Sequence, residues 1–170
     1  MSSGELINGD IVRKLVKLFE SKTNNSKKED KEPKEPPIAR RAEDFPFMIA
    51  QYGLTSTLTF FLSKVGKESD DLLKKGFDYF SGIVDKPGGD VKDDATNPDV
   101  GKGYASYLAL VLVWPLGKAL KEVGIDISSQ SNIVDQVLNK LDAIKQNEMK
   151  LELRIMPSLL ELKKIIKALS

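Results

Sequence analysis

Two successive helical patterns between residues 39 and 65 constrain the fold more than any other part of this 170-residue chain. Apolar side chains recur at helical spacing as far as Tyr52, and a second series begins on a different phase at Leu54. The two series consist of Phe45, Met48, Ile49 and Tyr52, and then of Leu54, Leu58, Phe61, Leu62 and Val65. Gly53 lies where the phase changes, and glycine readily takes the left-handed conformation that ends many helices. The pattern therefore predicts two helices joined by a corner at Gly53.

Pro46 lies inside the first of these series. Proline is tolerated as the first residue of a helix, where its missing N–H group costs nothing, and it bends a helix when it lies further inside. Pro46 therefore either begins the first helix or kinks a helix that began near Ile38. The spacing alone does not choose between the two.

The remaining apolar patterns are also helical. Residues 6–19 predict a short amphipathic helix with Asp10 as a candidate cap, and residues 69–84 and 131–145 each carry one apolar stripe. Residues 104–123 are apolar on nearly all sides, which is typical of a central helix.

Two further prolines bear on the last helices. Pro115 should bend or break the helix over residues 104–123, and Pro157 is predicted to open a final helix. Residues 149–155 alternate between apolar and polar, as a strand does, but no second strand pattern could pair with them. A helix is the better prediction there.

Two polar segments interrupt the helical patterns. Residues 21–37 combine charges and prolines with no other apolar side chain, and residues 85–102 are rich in proline, glycine and aspartate without periodicity. We interpret the first as an exposed flexible tether and the second as a surface loop. The predicted organisation is an N-terminal helix in residues 1–20, a linker in 21–37 and a helical bundle domain in 38–170. The predicted fold class is all-α, a single compact bundle of about six helices with a tethered N-terminal helix.

The composition removes many kinds of chemistry. The chain has no histidine and no cysteine, which excludes disulfides, histidine general bases, Ser-His-Asp triads and the common zinc sites. Its 26 basic and 25 acidic residues leave a net charge of only +1, whereas independent nucleic-acid binders usually carry a clear basic excess. No signal peptide is visible, and the most apolar stretch is shorter than the roughly 20 residues of a membrane span. We expect a soluble cytoplasmic protein without catalysis, cofactor or metal, whose contact with RNA would need a local basic face.

The residues around the Gly53 corner resemble a known family. The sequence has Arg40-Arg41, then Phe45-Pro46, Met48-Ile49 and Gly53-Leu54, and finally Phe60 or Phe61 leading to Lys64. This order resembles the motif of the Cmr small subunit of type III-B CRISPR RNA-guided effector complexes. Residues 158–164 are similar to the closing helix of that family, although aliphatic residues stand here where the family commonly has an aromatic.

The resemblance implies a non-catalytic subunit of a ribonucleoprotein complex in antiviral defence. Such a subunit packs beside copies of itself and other Cmr-type subunits, and helps hold guide RNA and target RNA. The candidate RNA-binding residues are Arg40, Arg41, Lys64, Lys67, Lys163 and Lys167. Arginine and lysine suit phosphate oxygens, and the like charges of Lys163 and Lys167 at i, i+4 favour a nearby anion.

Each candidate also has a purely structural explanation. Arg40 could pair with Asp44 along one helix, and lysines near a helix C-terminus compensate the helix dipole. The aspartates of residues 85–102 do not follow the EF-hand spacing and are interpreted as part of a solvated loop. Three aromatic residues of the apolar helix, Tyr104, Tyr107 and Trp114, are expected to pack in the core rather than stack on bases.

Two other functions stay open at this point. The chain could be a helical adaptor, unrelated to RNA, that binds a protein partner through its N-terminal helix. It could also be an enzyme that uses carboxylates such as Glu43 and Asp44, although no partner base or cleft is indicated for them.

Overall fold

The computed structural model describes residues 8–20, 34–68 and 70–170, and for Lys67 and Glu68 only the backbone. Its helices are α1 (Gly9–Glu20), α2 (Pro37–Tyr52), α3 (Leu54–Glu68), α4 (Asp70–Ser81), α5 (Gly89–Thr96), α6 (Tyr104–Val113), α7 (Leu116–Glu122), α8 (Ile133–Asn139), α9 (Leu141–Gln146) and α10 (Glu148–Leu169). No strand occurs in these ranges, so the all-α prediction is confirmed. None of the described helices is long and apolar enough to cross a membrane.

The predicted corner between α2 and α3 is present at Gly53. Its φ of 91° lies in the region that favours glycine, and its N–H donates to the Ile49 carbonyl to close α2. Helix α2 begins at Pro37, so Pro46 lies in the helix interior and is buried there. The structure thus excludes Pro46 as the first residue of the helix and places it inside a helix that begins near Ile38.

Helix α6 is the centre of the molecule, as its all-round apolar surface predicts. Every residue from 105 to 112 is buried. Helix α4 approaches it closely because Gly76 faces Ala109, where an added Cβ would lie 2.9 Å from the alanine Cβ. The ring centroids of Phe45 and Phe61 lie 5.0 Å apart, and the ring centroid of Tyr107 lies 5.5 Å from that of Phe45. An edge-on contact between Phe45 and Phe61 and a tilted contact between Phe45 and Tyr107 therefore join α2, α3 and α6.

Helices α2 and α10 run antiparallel. Near one end of the pair, the Lys167 ammonium lies 2.9 Å from Glu35 and 3.4 Å from Glu43. Near the other end, the Glu148 carboxylate accepts a hydrogen bond from the N–H of Thr55, just beyond the Gly53 corner. The last helix of the chain thereby covers the α2–α3 hairpin.

Helix α1 packs on the body of this chain. It buries Ile11, Leu15, Leu18 and Phe19, and the Tyr79 hydroxyl donates to its Lys14 carbonyl at 2.6 Å. The expected cap Asp10 is not the residue that caps it, because the Asn8 side chain accepts from the amides of the first turn. Of the predicted linker, residues 21–33 lie outside the described residues.

The prediction of a loop over residues 85–102 is wrong in its middle, where α5 forms. The reason is tertiary: Val91 and Ala95 are buried against the core, and Asp94 is also buried. The Asp94 carboxylate accepts from the backbone N–H groups of Lys102, Gly103 and Ser106 at 3.3, 3.1 and 2.9 Å. One aspartate of the supposed solvated loop therefore caps α6.

The helices of the described residues are shorter and more numerous than the predicted six. The helix predicted over residues 104–123 is interrupted at Trp114-Pro115, as expected. The helix predicted over residues 131–145 also divides, at Lys140, into α8 and α9. Pro157 does not open a helix, because it lies inside α10, on an exposed position. Residues 149–155 are helical, as the absence of a second strand pattern indicated.

Candidate functional site

Two of the predicted basic residues, Arg41 of α2 and Lys64 of α3, converge on one aromatic ring. The Arg41 guanidinium carbon lies 4.1 Å from the centroid of Tyr104, and the Lys64 ammonium lies 6.0 Å from the same centroid. Lys64 also lies 5.3 Å from the ring of Phe60. We call these four residues, Arg41, Phe60, Lys64 and Tyr104, the cation–aromatic patch.

The Arg41 side chain is held in place by its neighbours. Its Nη1 donates to Asp44 Oδ2 at 2.9 Å and to the Tyr104 hydroxyl at 2.7 Å, and only 13% of the side chain is exposed. Its Nε finds no hydrogen-bond partner among the described residues. A guanidinium fixed by a carboxylate and an aromatic ring loses little further freedom when it meets an anion.

Lys64 supplies a less compensated charge. No carboxylate among the described side chains lies within 4 Å of its ammonium, and its neighbours in the patch are aromatic. Phe60 is 38% exposed, and its ring contacts that of Tyr104 edge-on at 6.1 Å. The patch thus combines two cations with accessible aromatic surface, a combination that binds phosphate and stacks on bases in single-stranded nucleic acids.

Two other predicted residues, Arg40 and Lys167, lie elsewhere, at the pairing of α2 with α10. Lys167 lies between two carboxylates, and its hydrogen bond to Glu35 raises its pKa above the usual lysine value. The Arg40 side chain is 62% exposed, and its Nε lies 4.0 Å from the Glu35 carboxylate. The Asp44 expected to pair with Arg40 pairs with Arg41 instead. Lys167 in this arrangement ties the C-terminus of the chain to α2.

The last two predicted residues do not join the patch. Lys163 is half-buried on α10, one turn before Lys167. The side chain of Lys67 lies outside the described residues. The structure therefore brings together Arg41 and Lys64, and separately Arg40 and Lys167.

Sequence reasoning missed the aromatic half of the patch. It assigned Tyr104, Tyr107 and Trp114 together to the core, and the last two are indeed buried. Tyr104 differs because it is the first residue of α6, where one side of the ring stays open to Arg41. The position of Tyr104 at the start of the helix, directly after Gly103, was the sequence feature that could have distinguished it from the two buried aromatic residues.

The acidic residues give no metal site within the described ranges, where no group of three or more is placed to hold an ion. Asp94 is engaged by the start of α6, and Asp90 pairs with Lys75 at 3.1 Å. Comparisons of the chain with protein-family models, with curated proteins and with solved structures found no match in any of the three.

Proposed function

We propose that this chain is a non-catalytic small subunit of a type III-B CRISPR (Cmr) effector complex. In that role it contacts the backbone of guide and target RNA, other effector subunits and further copies of itself. The observation that carries the proposal is the convergence of Arg41 and Lys64 on Tyr104. Both cations belong to the motif that resembles the Cmr small subunit, although 22 residues separate them along the chain.

The patch would act on RNA without reading its sequence. Lys64 offers a donor for phosphate oxygens and Arg41 adds a fixed positive charge beside it, while Phe60 and Tyr104 offer ring surface that any base or ribose can contact. The guide RNA would supply specificity by base pairing, as in other RNA-guided complexes. With a net charge of +1, the isolated chain should bind RNA weakly and rely on neighbouring subunits for the rest of the positive field.

The two alternatives fit less well. An adaptor working through its N-terminal helix would need an available apolar face, but α1 buries that face against this chain. An enzyme using Glu43 and Asp44 would need free carboxylates. In the structure Glu43 pairs with Lys167, and Asp44 pairs with Arg41.

The direct test is RNA binding by the isolated chain, measured by fluorescence anisotropy with a single-stranded oligonucleotide over a range of salt concentrations. We expect weak binding that falls steeply with salt and is independent of sequence. Lys64→Gln should weaken it and reduce the slope of log K against log salt by about 0.7, the value for one phosphate contact on a single strand. Lys86→Gln, on an exposed turn after α4, is the matched control and should leave the slope unchanged.

The complex itself is tested by co-expression with Cmr-type subunits and affinity purification of this chain. Recovery of small RNA together with those subunits supports the proposal. Recovery of a single protein partner without RNA contradicts it. Tight, salt-insensitive and sequence-specific binding by the isolated chain would contradict it as well.

A further inference from the structure

The carboxylate of Asp44 borders the cation–aromatic patch and keeps one oxygen unused. Its Oδ2 accepts from Arg41 Nη1 at 2.9 Å, whereas its Oδ1 has no hydrogen-bond partner among the described residues. The Asp44 side chain is 40% exposed, compared with 13% for Arg41. An ionised carboxylate offers about four lone-pair sites on its two oxygens, so Asp44 can hold Arg41 and still accept a hydrogen bond from a ligand.

Asp44 lies at the edge of the aromatic surface of the patch. The Arg41 nitrogen that donates to Asp44 also donates to the Tyr104 hydroxyl at 2.7 Å, so the carboxylate lies beside that hydroxyl. The Lys64 ammonium lies nearer to the ring centroid of Phe60, at 5.3 Å, than to that of Tyr104, at 6.0 Å. A cation, ring surface and an open acceptor are therefore close enough for one short stretch of a strand to contact all three.

The charge of Asp44 suits a neutral donor on a strand that also carries phosphates. Pairing with Arg41 offsets the negative charge, so Asp44 repels a nearby phosphate less than a free carboxylate would. A strand of RNA presents neutral donors on its bases and on the 2′-hydroxyl of each ribose. The N–H groups differ from base to base, whereas every ribose carries the hydroxyl. The hydroxyl is thus the donor that is compatible with binding independent of sequence.

We propose that Asp44 makes the patch selective for RNA over DNA by accepting a hydrogen bond from a ribose 2′-hydroxyl. This role of Asp44 rests on the proposed function and adds to it the part of the nucleotide that is recognised. DNA lacks the hydroxyl, so its deoxyribose leaves the acceptor without a partner while the carboxylate stays close to the phosphates. Lys64 and the aromatic rings contact both kinds of strand alike, and Asp44 supplies the difference.

The test uses single-stranded oligonucleotides of one length and base sequence that differ only at the 2′ position, measured by fluorescence anisotropy at one salt concentration. We expect the full-length chain to bind RNA about fivefold more tightly than DNA, as for the loss of one hydrogen bond. It should bind 2′-fluoro RNA as weakly as DNA, because fluorine preserves the sugar pucker of RNA but cannot donate. Asp44→Ala should abolish the preference for RNA, since the acceptor is removed.

The matched control is Tyr104→Phe. It removes the other hydrogen bond of Arg41 Nη1 and keeps both the ring and the Asp44 carboxylate. Tyr104→Phe should therefore affect RNA and DNA binding equally and leave the preference for RNA unchanged. This control separates a contact made by Asp44 from an effect that Asp44 exerts only by holding Arg41.

Several results would overturn the role of Asp44. The parent chain could bind RNA and 2′-fluoro RNA equally, which needs no variant to show, or the preference could persist in Asp44→Ala. A preference lost equally in Tyr104→Phe would mean that Asp44 only positions Arg41, and an altered preference among bases in Asp44→Ala would assign the carboxylate to a base. Equal binding of RNA and DNA that Lys64→Gln weakens would overturn the role of Asp44 alone, whereas a parent chain that binds neither strand would overturn the proposed function as well.

Discussion

Helices α3 and α6 are each capped by carboxylates from another part of the chain. The two helices differ in how many residues separate these carboxylates from the start of the helix. Each follows a glycine with positive φ, Gly53 at 91° and Gly103 at 78°, which has no side chain to cap the helix. At α6 the carboxylate comes from Asp94, 8 to 12 residues earlier, and it is buried. At α3 the N–H groups of Leu54 and Thr55 donate to Glu152 and Glu148, 98 and 93 residues later.

The two junctions matter for the candidate site because they orient its parts. The Gly53 corner sets the angle between α2, which carries Arg41, and α3, which carries Lys64. The Gly103 junction fixes the first residue of α6, Tyr104, between them. The geometry of the cation–aromatic patch depends on both junctions, so a substitution at either junction should alter it.

The largest expected effect is at Asp94, the buried cap of α6. Asp94→Ala leaves up to three backbone N–H groups without their acceptor in an interior position, so we expect a loss of about 3 kcal/mol in the free energy of unfolding. Urea denaturation followed by circular dichroism measures it. Asp93→Ala, at the exposed neighbouring position, is the control and should change stability by less than about 0.5 kcal/mol. Equal effects of the two changes would mean that Asp94 does not stabilise the start of α6.

The next largest effect is at the corner itself. Gly53→Ala forces an alanine to φ 91°, ψ 160°, a region essentially restricted to glycine, and its Cβ would lie 3.1 Å from Glu148 Oε2. We expect a destabilisation of about 2 kcal/mol in thermal or urea unfolding. Gly66→Ala within α3 would meet no atom of the described residues within 4 Å and should instead stabilise the chain by up to about 1 kcal/mol. A neutral Gly53→Ala would show that the corner tolerates another backbone conformation.

The smallest effect is the pH dependence of the cap that Glu148 provides for α3. The hydrogen bond from the Thr55 backbone lowers the pKa of Glu148 below its usual value of 4.5. Its stabilisation is therefore complete above pH 4.5 and is lost as the pH falls through the lower pKa of the folded state. Glu148→Gln should remove that part of the acid dependence and cost about 1 kcal/mol at neutral pH. Urea titrations between pH 3 and 7 compare the two chains, and parallel pH profiles would contradict the assignment.

The two junctions also show which features of the structure can be predicted from the sequence. The change of phase at Gly53 predicted the corner because apolar spacing records which side of each helix is buried. The same reasoning failed at Asp94, since an aspartate among prolines and glycines is typical of a loop and nothing local shows that the segment folds back. The roles of Glu148 and Glu152 were invisible for the same reason, because their partners lie more than 90 residues away.

The sequence by itself determined the all-helical class, the Gly53 corner, the break at Pro115 and the central position of α6, because helical periodicity and backbone constraints act locally. It also removed every chemistry that needs histidine or cysteine. Only the tertiary structure decided which basic residues meet. Arg41 and Lys64 converge on Tyr104, whereas Lys167 is neutralised by Glu35 and Glu43, because the packing of α2, α3, α6 and α10 sets distances that spacing along the chain does not contain.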